Sequence, residues 1–409
     1  SMSNLRLSPT RVEDVLSMPI MATDRKRPFT GSLEVVRSDE AFDALQDSWE
    51  ALVSQMQVST PFVRYDWCRS WWRHFGKGKR LAIGVLRERD GEVVAIAPCV
   101  ISPGACGSRR LLKHLTWMGG VGDVLVERMD FLVPNGREDE LAPALLEFLS
   151  RLEGEWDAIW LPAIPSDSKN LPHLSVALGK VGTSDGIADI HPCRFTPIPT
   201  DWKAYEGARS SRWRRNLRNR WSTFIDEHQG KRCISGKDMP HGEALDHLAR
   251  LHHLQWPGDS SNFLRPAAWT FYRENALRWL EEGRALLTYL MAGDRVVAAA
   301  LGLIKRNAFS LFQQGWDPEF KTLSIGNLAV HWSLETAAGH GLATYDMLSG
   351  DSRYKAEWCP ELMQTFDLEA YNPESFRAQA FVVLRKLNRA IAKLQGSAET
   401  APVEAEAAT

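Results

Sequence analysis

The chain has 409 residues, 44% hydrophobic and 24% charged, which is enough apolar material for a full core and enough length for two domains. A formal net charge of −2 argues against a protein that coats nucleic acid or an anionic membrane through bulk charge, so no DNA partner is expected and any polyanion contact must be local. Six cysteines without CxxC pairs or zinc-ligand spacing read as reduced thiols, and no metal is expected. In chain order, residues 1–28 form a flexible start without the apolar centre of a secretory signal, with Ser1-Met2 read as a leftover residue ahead of a natural start. A strand at Leu33 to Arg37 leads to a helix with Phe42, Leu45 and Trp49 on its apolar side, and a second helix at Trp67 to Phe75. Leu81 to Leu86 and Val93 to Cys99 are strands joined by a turn at Arg89-Asp90-Gly91. A helix at Glu138 to Leu152 and an apolar strand at Ala158 to Leu161 follow.

The second half repeats this order. Arg232 to Ser235 is a strand, Ala244 to Leu254 and Ala267 to Leu280 are helices, and Ala285 to Met291 and Val296 to Ile304 are strands around Gly293-Asp294. A strand at Phe309 to Gln314, a helix at Gly326 to His340 and a strand at Ala343 to Met347 complete it. The segments ending at Ala97 and Ala300, Asp-Gly-Glu-Val-Val-Ala-Ile-Ala and Gly-Asp-Arg-Val-Val-Ala-Ala-Ala, nearly superimpose. Two α/β units of like topology are the natural reading, the other being chance recurrence of a common element order. The boundary is expected at Pro197 to Asp201, giving units 29–200 and 201–372. A helix over 373–395 carries Phe376, Ala380, Val383, Leu384, Leu387 and Ile391 on one stripe, expected to pack against the body, and 396–409 reads as a disordered tail. No apolar run approaches the ~20 residues of a membrane span, so a cytoplasmic chain without a transmembrane segment is expected.

Four pieces of the second half carry a family resemblance: Arg212-Trp213-Arg214-Arg215-Asn216-Leu217-Arg218, Gly315-Trp316-Asp317-Pro318-Glu319-Phe320, Leu323-Ser324-Ile325-Gly326, and Tyr345-Asp346 to Gly350 with Tyr354-Lys355-Ala356-Glu357-Trp358. In the first half, Pro61-Phe62, Trp71-Trp72-Arg73-His74-Phe75 and Asp130-Phe131-Leu132 add to it. The chain resembles the GNAT acyltransferases, in particular tandem GNAT proteins of the Fem and CelD/BcsL type. The resemblance implies two GNAT-like units of mixed sheet flanked by helices, the first degenerate, plus the C-terminal helix. It also implies acyl transfer from acetyl-CoA to an amino group, in a bacterial polysaccharide or cell-wall pathway.

Positioning alone supplies ~7–11 kcal/mol of such a barrier, so no nucleophile motif is required. Ser324, Ile325, Gly326 and Asn327 stand between a strand and a helix, where free amides and the helix dipole attract the phosphates of a cofactor; Ser324 is equally an ordinary N-cap. Asp346, near a strand end, either orients or deprotonates an ammonium acceptor or is satisfied by amides or an arginine. Lys355 matches the family's aromatic-Lys motif, where a cation stabilises the oxyanion or an acceptor phosphate; otherwise it is a surface lysine. Tyr354 either protonates the leaving thiolate or packs in the core. Trp316 and Asp317 suit a sugar face and its hydroxyls, or a plain Asp-Pro turn, and His331 lies one turn into the following helix as a substrate contact or a structural histidine.

The run Arg209 to Arg220 holds six arginines and no acid, with Trp213, Leu217, Trp221 and Phe224 as its apolar stripe. Arg212 and Arg215 then belong to a solvated face, a grip on an acceptor phosphate or diphosphate, a nucleotide-regulator site, or an RNA contact. The reading adopted is an acetyl-CoA-dependent N-acetyltransferase acting on an amino sugar, nucleotide- or lipid-linked, of a bacterial exopolysaccharide. The alternatives are a weakly catalytic effector binding a nucleotide messenger through the arginine helix, and a Fem-like aminoacyl transferase.

Overall fold

The computed structural model describes residues 29–57, 60–104, 111–120, 124, 126–183, 187–257 and 262–394. The expected flexible start, the tail at 396–409 and Cys106 lie outside the described residues. The other five cysteines are buried and unbridged.

The first half runs β1 (Ser32–Val36), α1 (Asp39–Asp43), α2 (Gln46–Gln55), α3 (Tyr65–Phe75), β2 (Arg80–Leu81), β3 (Ile83–Arg87), β4 (Val93–Ala97), β5 (Cys99–Pro103), β6 (Lys113–Trp117), α4 (Glu138–Leu146), α5 (Phe148–Arg151), β7 (Ala158–Pro165), α6 (Leu171–Val181) and β8 (Ile187–Pro197). The second half runs α7 (Trp202–Gly207), α8 (Ser211–His228), β9 (Gly230–Ile234), α9 (His241–Gln255), α10 (Pro266–Glu281), β10 (Ala285–Ala292), β11 (Arg295–Lys305), β12 (Ala308–Trp316), α11 (Ile325–Gly339), β13 (Thr344–Ser349), α12 (Arg353–Trp358), β14 (Glu361–Tyr371) and α13 (Phe376–Leu394).

Both expected hairpins are present, with β3 antiparallel to β4 and β10 to β11. The strand expected from Val93 to Cys99 is two strands, because Pro98 has no amide to give to a ladder. β4 stays in a three-stranded sheet, β1-β3-β4, while β5 enters an eleven-stranded sheet ordered β2-β5-β6-β7-β14-β8-β13-β12-β11-β10-β9.

The middle of that order, β7-β14-β8-β13, joins the halves. β8 pairs with β13 through Tyr345↔Thr196, and β14 pairs with β7 through Leu368↔Leu161. Each half therefore borrows the other's last strand, and the chain boundary near 200 is not a gap in the sheet. A core rich in indole rings supports the junction: Trp67 of α3 stacks on Trp279 of α10 at 5.4 Å and meets Phe312 of β12 edge-on at 6.1 Å.

α13 overturns one expectation. Its apolar stripe does not pack on the body: Phe376, Val383, Leu384 and Leu387 are exposed, and the side chains that dock are Ala378, Phe381, Val382 and Arg385. Arg385 pairs with the buried Glu369 and donates to Tyr371 Oη at 2.9 Å, which turns the other face of the helix outward.

Candidate active site

β12 and β13 are parallel neighbours for only three residue pairs, ending at Ser310↔Asp346. Beyond that pair β12 continues to Trp316 and β13 to Ser349 without pairing to each other, so a gap opens between their C-terminal ends. A bulge in β12, where Leu301 opposes Gln313 and Gly302 opposes Leu311, turns the strand at this point. Leu348 on the other side of the gap has φ 57°, a left-handed conformation rare for a branched side chain; such strain concentrates at functional positions.

One side of the gap belongs to α11. Tyr345 faces that way, its hydroxyl 2.6 Å from Ser333 Oγ. Ser324 precedes the helix with φ 51° and makes no side-chain cap, so its hydroxyl does not occupy the helix start; the first turn, Ile325, Gly326 and Asn327, holds no acid. This leaves the local field favourable to an anion. A Cβ on Gly326 would lie 3.2 Å from Trp316 Cδ1 and 3.4 Å from Gln314 Nε2, so the glycine keeps this surface low. Gln314 spans the gap mouth: its Nε2 donates to Gly326 O at 2.9 Å and its Oε1 accepts from Tyr354 Oη at 2.8 Å. Burial raises the Tyr354 pKa above its ordinary value, so the hydroxyl holds its proton at neutral pH.

The opposite side faces the first half. Asp346, next to Tyr345 and thus on the other face of β13, is buried and held in a two-pronged ion pair by Arg128, whose Nη2 donates at 2.9 Å. Asp346 Oδ1 also accepts the Leu348 amide at 2.8 Å. Of the two roles open to Asp346 from the sequence, the structure thus supplies the arginine partner. Burial lowers the Arg128 pKa, but the Asp346 carboxylate outweighs it and the net shift is upward.

Lys355 Nζ donates to Met347 O at 3.0 Å and to Ser349 O, so the lysine is not a free surface cation. Burial lowers its pKa against the pull of Glu127. The Glu127 carboxylate accepts from the Ser349 backbone and is raised by burial, with Lys355 and Arg128 opposing. Glu127 and Arg128, contributed by the first half, are absent from the residues singled out in the sequence; they lie in an aperiodic segment, and no sequence signal placed them here.

Among the remaining expected residues, Asp317 is 2% exposed. Its Oδ1 accepts the Glu319 amide at 3.1 Å and its other oxygen pairs with Arg295, so it holds a turn and is not available to a sugar hydroxyl. Trp316 is half-buried against Gly326. His331 is buried among Trp202, Trp221 and Trp358; Nδ1 accepts from Trp221 Nε1 at 3.1 Å, Nε2 lies 3.3 Å from Glu206, and burial pushes its pKa down to about 3. That network is structural.

The arginine run forms the outer face of α8. Trp213 packs edge-on against Trp358 at 5.3 Å, and Trp358 Nε1 donates to Asn327 Oδ1 at 2.7 Å, which ties the first turns of α8 to the start of α11. Arg209 is bound to Tyr205 Oη and to the Glu357 and Trp358 carbonyls, whereas Arg212, Arg215 and Arg218 are exposed.

The first half has the same parallel pair with a different filling. β6 and β7 pair from His114↔Ala158 to Thr116↔Trp160 and then part. Here Trp117, fully buried, donates from Nε1 to Pro162 O at 2.9 Å and packs at 4.9 Å on Phe131, closing the opening. The helix that follows, α4, begins Glu138-Asp139-Glu140, and Glu138 accepts the Gly136 amide at 2.7 Å.

Each half has two parallel strands that part after three residue pairs and are joined by a helix, so the chain repeats one α/β arrangement. Residues 211–356 match the acetyltransferase (GNAT) domain family. FemX superposes with a TM-score of 0.55 at 14% identity, covering 85% of this chain and 98% of that one. A conserved protein of unknown function from Bacteroides thetaiotaomicron superposes with a TM-score of 0.52 at 9% identity, covering 82% and 100%. At such identities the likeness is one of fold. No curated protein sequence matches the chain. Among the described residues no helix is long and apolar enough to cross a membrane, and no group of side chains could hold a metal ion.

Proposed function

We propose that the second half, 201–372, transfers an acetyl group from acetyl-CoA to the amine of an amino sugar, and that the first half, 29–200, walls the acceptor side. The single observation that carries this is the open gap between β12 and β13 with the acid-free start of α11 at its mouth. The Ile325 and Gly326 amides would hold the cofactor phosphates, with Gly326 giving them close approach; the Ser324 and Asn327 amides already donate to Lys321 O and Ser324 O. Tyr354 would supply the proton of the leaving thiolate: the amine nitrogen bonds to the carbonyl carbon, the carbon–sulfur bond breaks, the sulfur takes the tyrosine proton, and the surplus proton on the new amide nitrogen restores the tyrosine hydroxyl. Glu127 accepts the proton of the incoming ammonium, while Lys355 fixes the end of β13 and Asp346, neutralised by Arg128, orients the seam.

Arg212 and Arg215 are exposed on α8, whose Trp213 packs on Trp358 near the start of α11, and make no ion pair among the described residues, which favours an acceptor carrying a phosphate or diphosphate, such as a nucleotide- or lipid-linked sugar. The amino sugar and the exopolysaccharide setting rest on the sequence resemblance. The test is calorimetric titration with acetyl-CoA, alongside labelled acetyl transfer to a panel of amino sugars. Micromolar binding that Gly326→Leu abolishes supports the assignment; no binding to the wild type sinks it.

A further inference from the structure

The outward stripe of α13 belongs to none of the chemistry above. Phe376, Val383, Leu384 and Leu387 are 86%, 55%, 60% and 53% exposed, on one helix, at spacings that bring them onto a single face. Large apolar side chains in such a row mark an interaction surface. The helix sequence adds Arg377, Arg385, Lys386, Arg389 and Lys393 and contains no acid. Arg377 and Lys386 are exposed, and helical periodicity sets one on each flank of the apolar row. The face opposite the row is already taken by Ala378, Phe381 and Arg385 against Tyr371 and Glu369.

We infer that α13 lies flat on an anionic lipid bilayer, the apolar row reaching the acyl boundary and the flanking cations meeting the headgroups. An apolar row bordered by Lys and Arg is the pattern of interfacial helices. A second copy of this helix would bring cations against cations. The 396–409 tail offers Glu399, Glu404 and Glu406 but only Val403 and alanines to cover four large side chains.

Topology gives the placement a use. β13 runs antiparallel to β7, so the open end of the β12–β13 gap and the start of β7, beside which α13 docks, point toward the same end of the sheet. A chain resting on α13 turns its candidate site toward the membrane.

The test is co-sedimentation of the full-length protein with phosphatidylglycerol/phosphatidylcholine vesicles and with pure phosphatidylcholine vesicles. Binding at least tenfold tighter to the anionic vesicles is expected. Leu384→Glu with Leu387→Glu, and separately Arg377→Glu with Lys386→Glu, should each weaken it tenfold or more, with the thermal midpoint unchanged because these side chains are exposed. Failure of the wild type to bind anionic vesicles, or binding indifferent to both double variants, overturns the inference. So does a solution dimer, seen by sedimentation equilibrium, that Leu384→Glu with Leu387→Glu dissociates. Acetyl-CoA titration of the same variants keeps this outcome separate from the acyl-transfer reading, since neither pair touches the gap.

Discussion

The two halves present the same junction in two conditions. In the first half, an indole fills the space between the parting strands, and three acids crowd the start of the next helix, where Glu138 already satisfies the Gly136 amide. In the second, Leu311 stands at the position register-equivalent to Trp117, and the helix opens on Ile325-Gly326-Asn327. A helix start attracts phosphate only while its own side chains do not supply the negative charge. A few side chains thus separate a filled junction from an open one on one backbone plan, and the difference is electrostatic as much as steric.

The largest effect expected on this contrast comes from the seam. Arg128→Ala leaves a buried, unpaired carboxylate at Asp346 and should cost about 3–5 kcal/mol, read as a drop in denaturant midpoint. Trp117→Ala should cost about 3–5 kcal/mol through its cavity while leaving acetyl-CoA affinity intact. A second acetyl-CoA site appearing in that variant would show that the first half is merely plugged and that its acids do not matter.

Glu127→Gln should lower kcat/KM about 100-fold. Because burial raises its pKa above the ordinary value, wild-type kcat/KM should climb with pH through that raised value and the variant should lack the limb. For stability the sign is opposite: the folded state holds this proton more tightly than the unfolded chain, so its contribution is present at low pH and lost as pH rises toward the raised value. A thermal-midpoint series in pH would show the variant flatter than the wild type. Tyr354→Phe should lower kcat about tenfold with acetyl-CoA affinity unchanged, and an unaltered kcat would assign the thiolate proton to water. The smallest effect is Ser324→Gly, which relieves a left-handed φ of 51° and should stabilise by up to about 1 kcal/mol without loss of binding.

Much of the architecture was legible from local signals. Asp90-Gly91 and Gly293-Asp294 fixed the hairpins, and the matched segments at Ala97 and Ala300 exposed the repeat. The start of α11 was legible from the order of strand, loop and apolar helix, although Ser324, read as an ordinary N-cap, makes no side-chain cap there. Arg128 was not: its partner Asp346 lies 218 residues away, and nothing in its own neighbourhood is periodic. Asp317 read as a sugar contact because an Asp-Pro pair does not reveal that Arg295 will cover it. For α13, periodicity identified the stripe but could not say which face would turn inward; that was decided by Glu369 and Tyr371 capturing Arg385.

The exchange of β8 and β14 has a consequence for biogenesis. β7 finds its neighbour β14 only after residue 371 has been made, roughly 200 residues later, which at typical elongation rates is about 10–40 s on the ribosome. Through that interval β7 and β8 keep unsatisfied edges, the kind of surface on which nascent chains aggregate. Expression of 29–200 or 201–372 alone should give insoluble protein, while co-expression of the two fragments should recover a soluble complex.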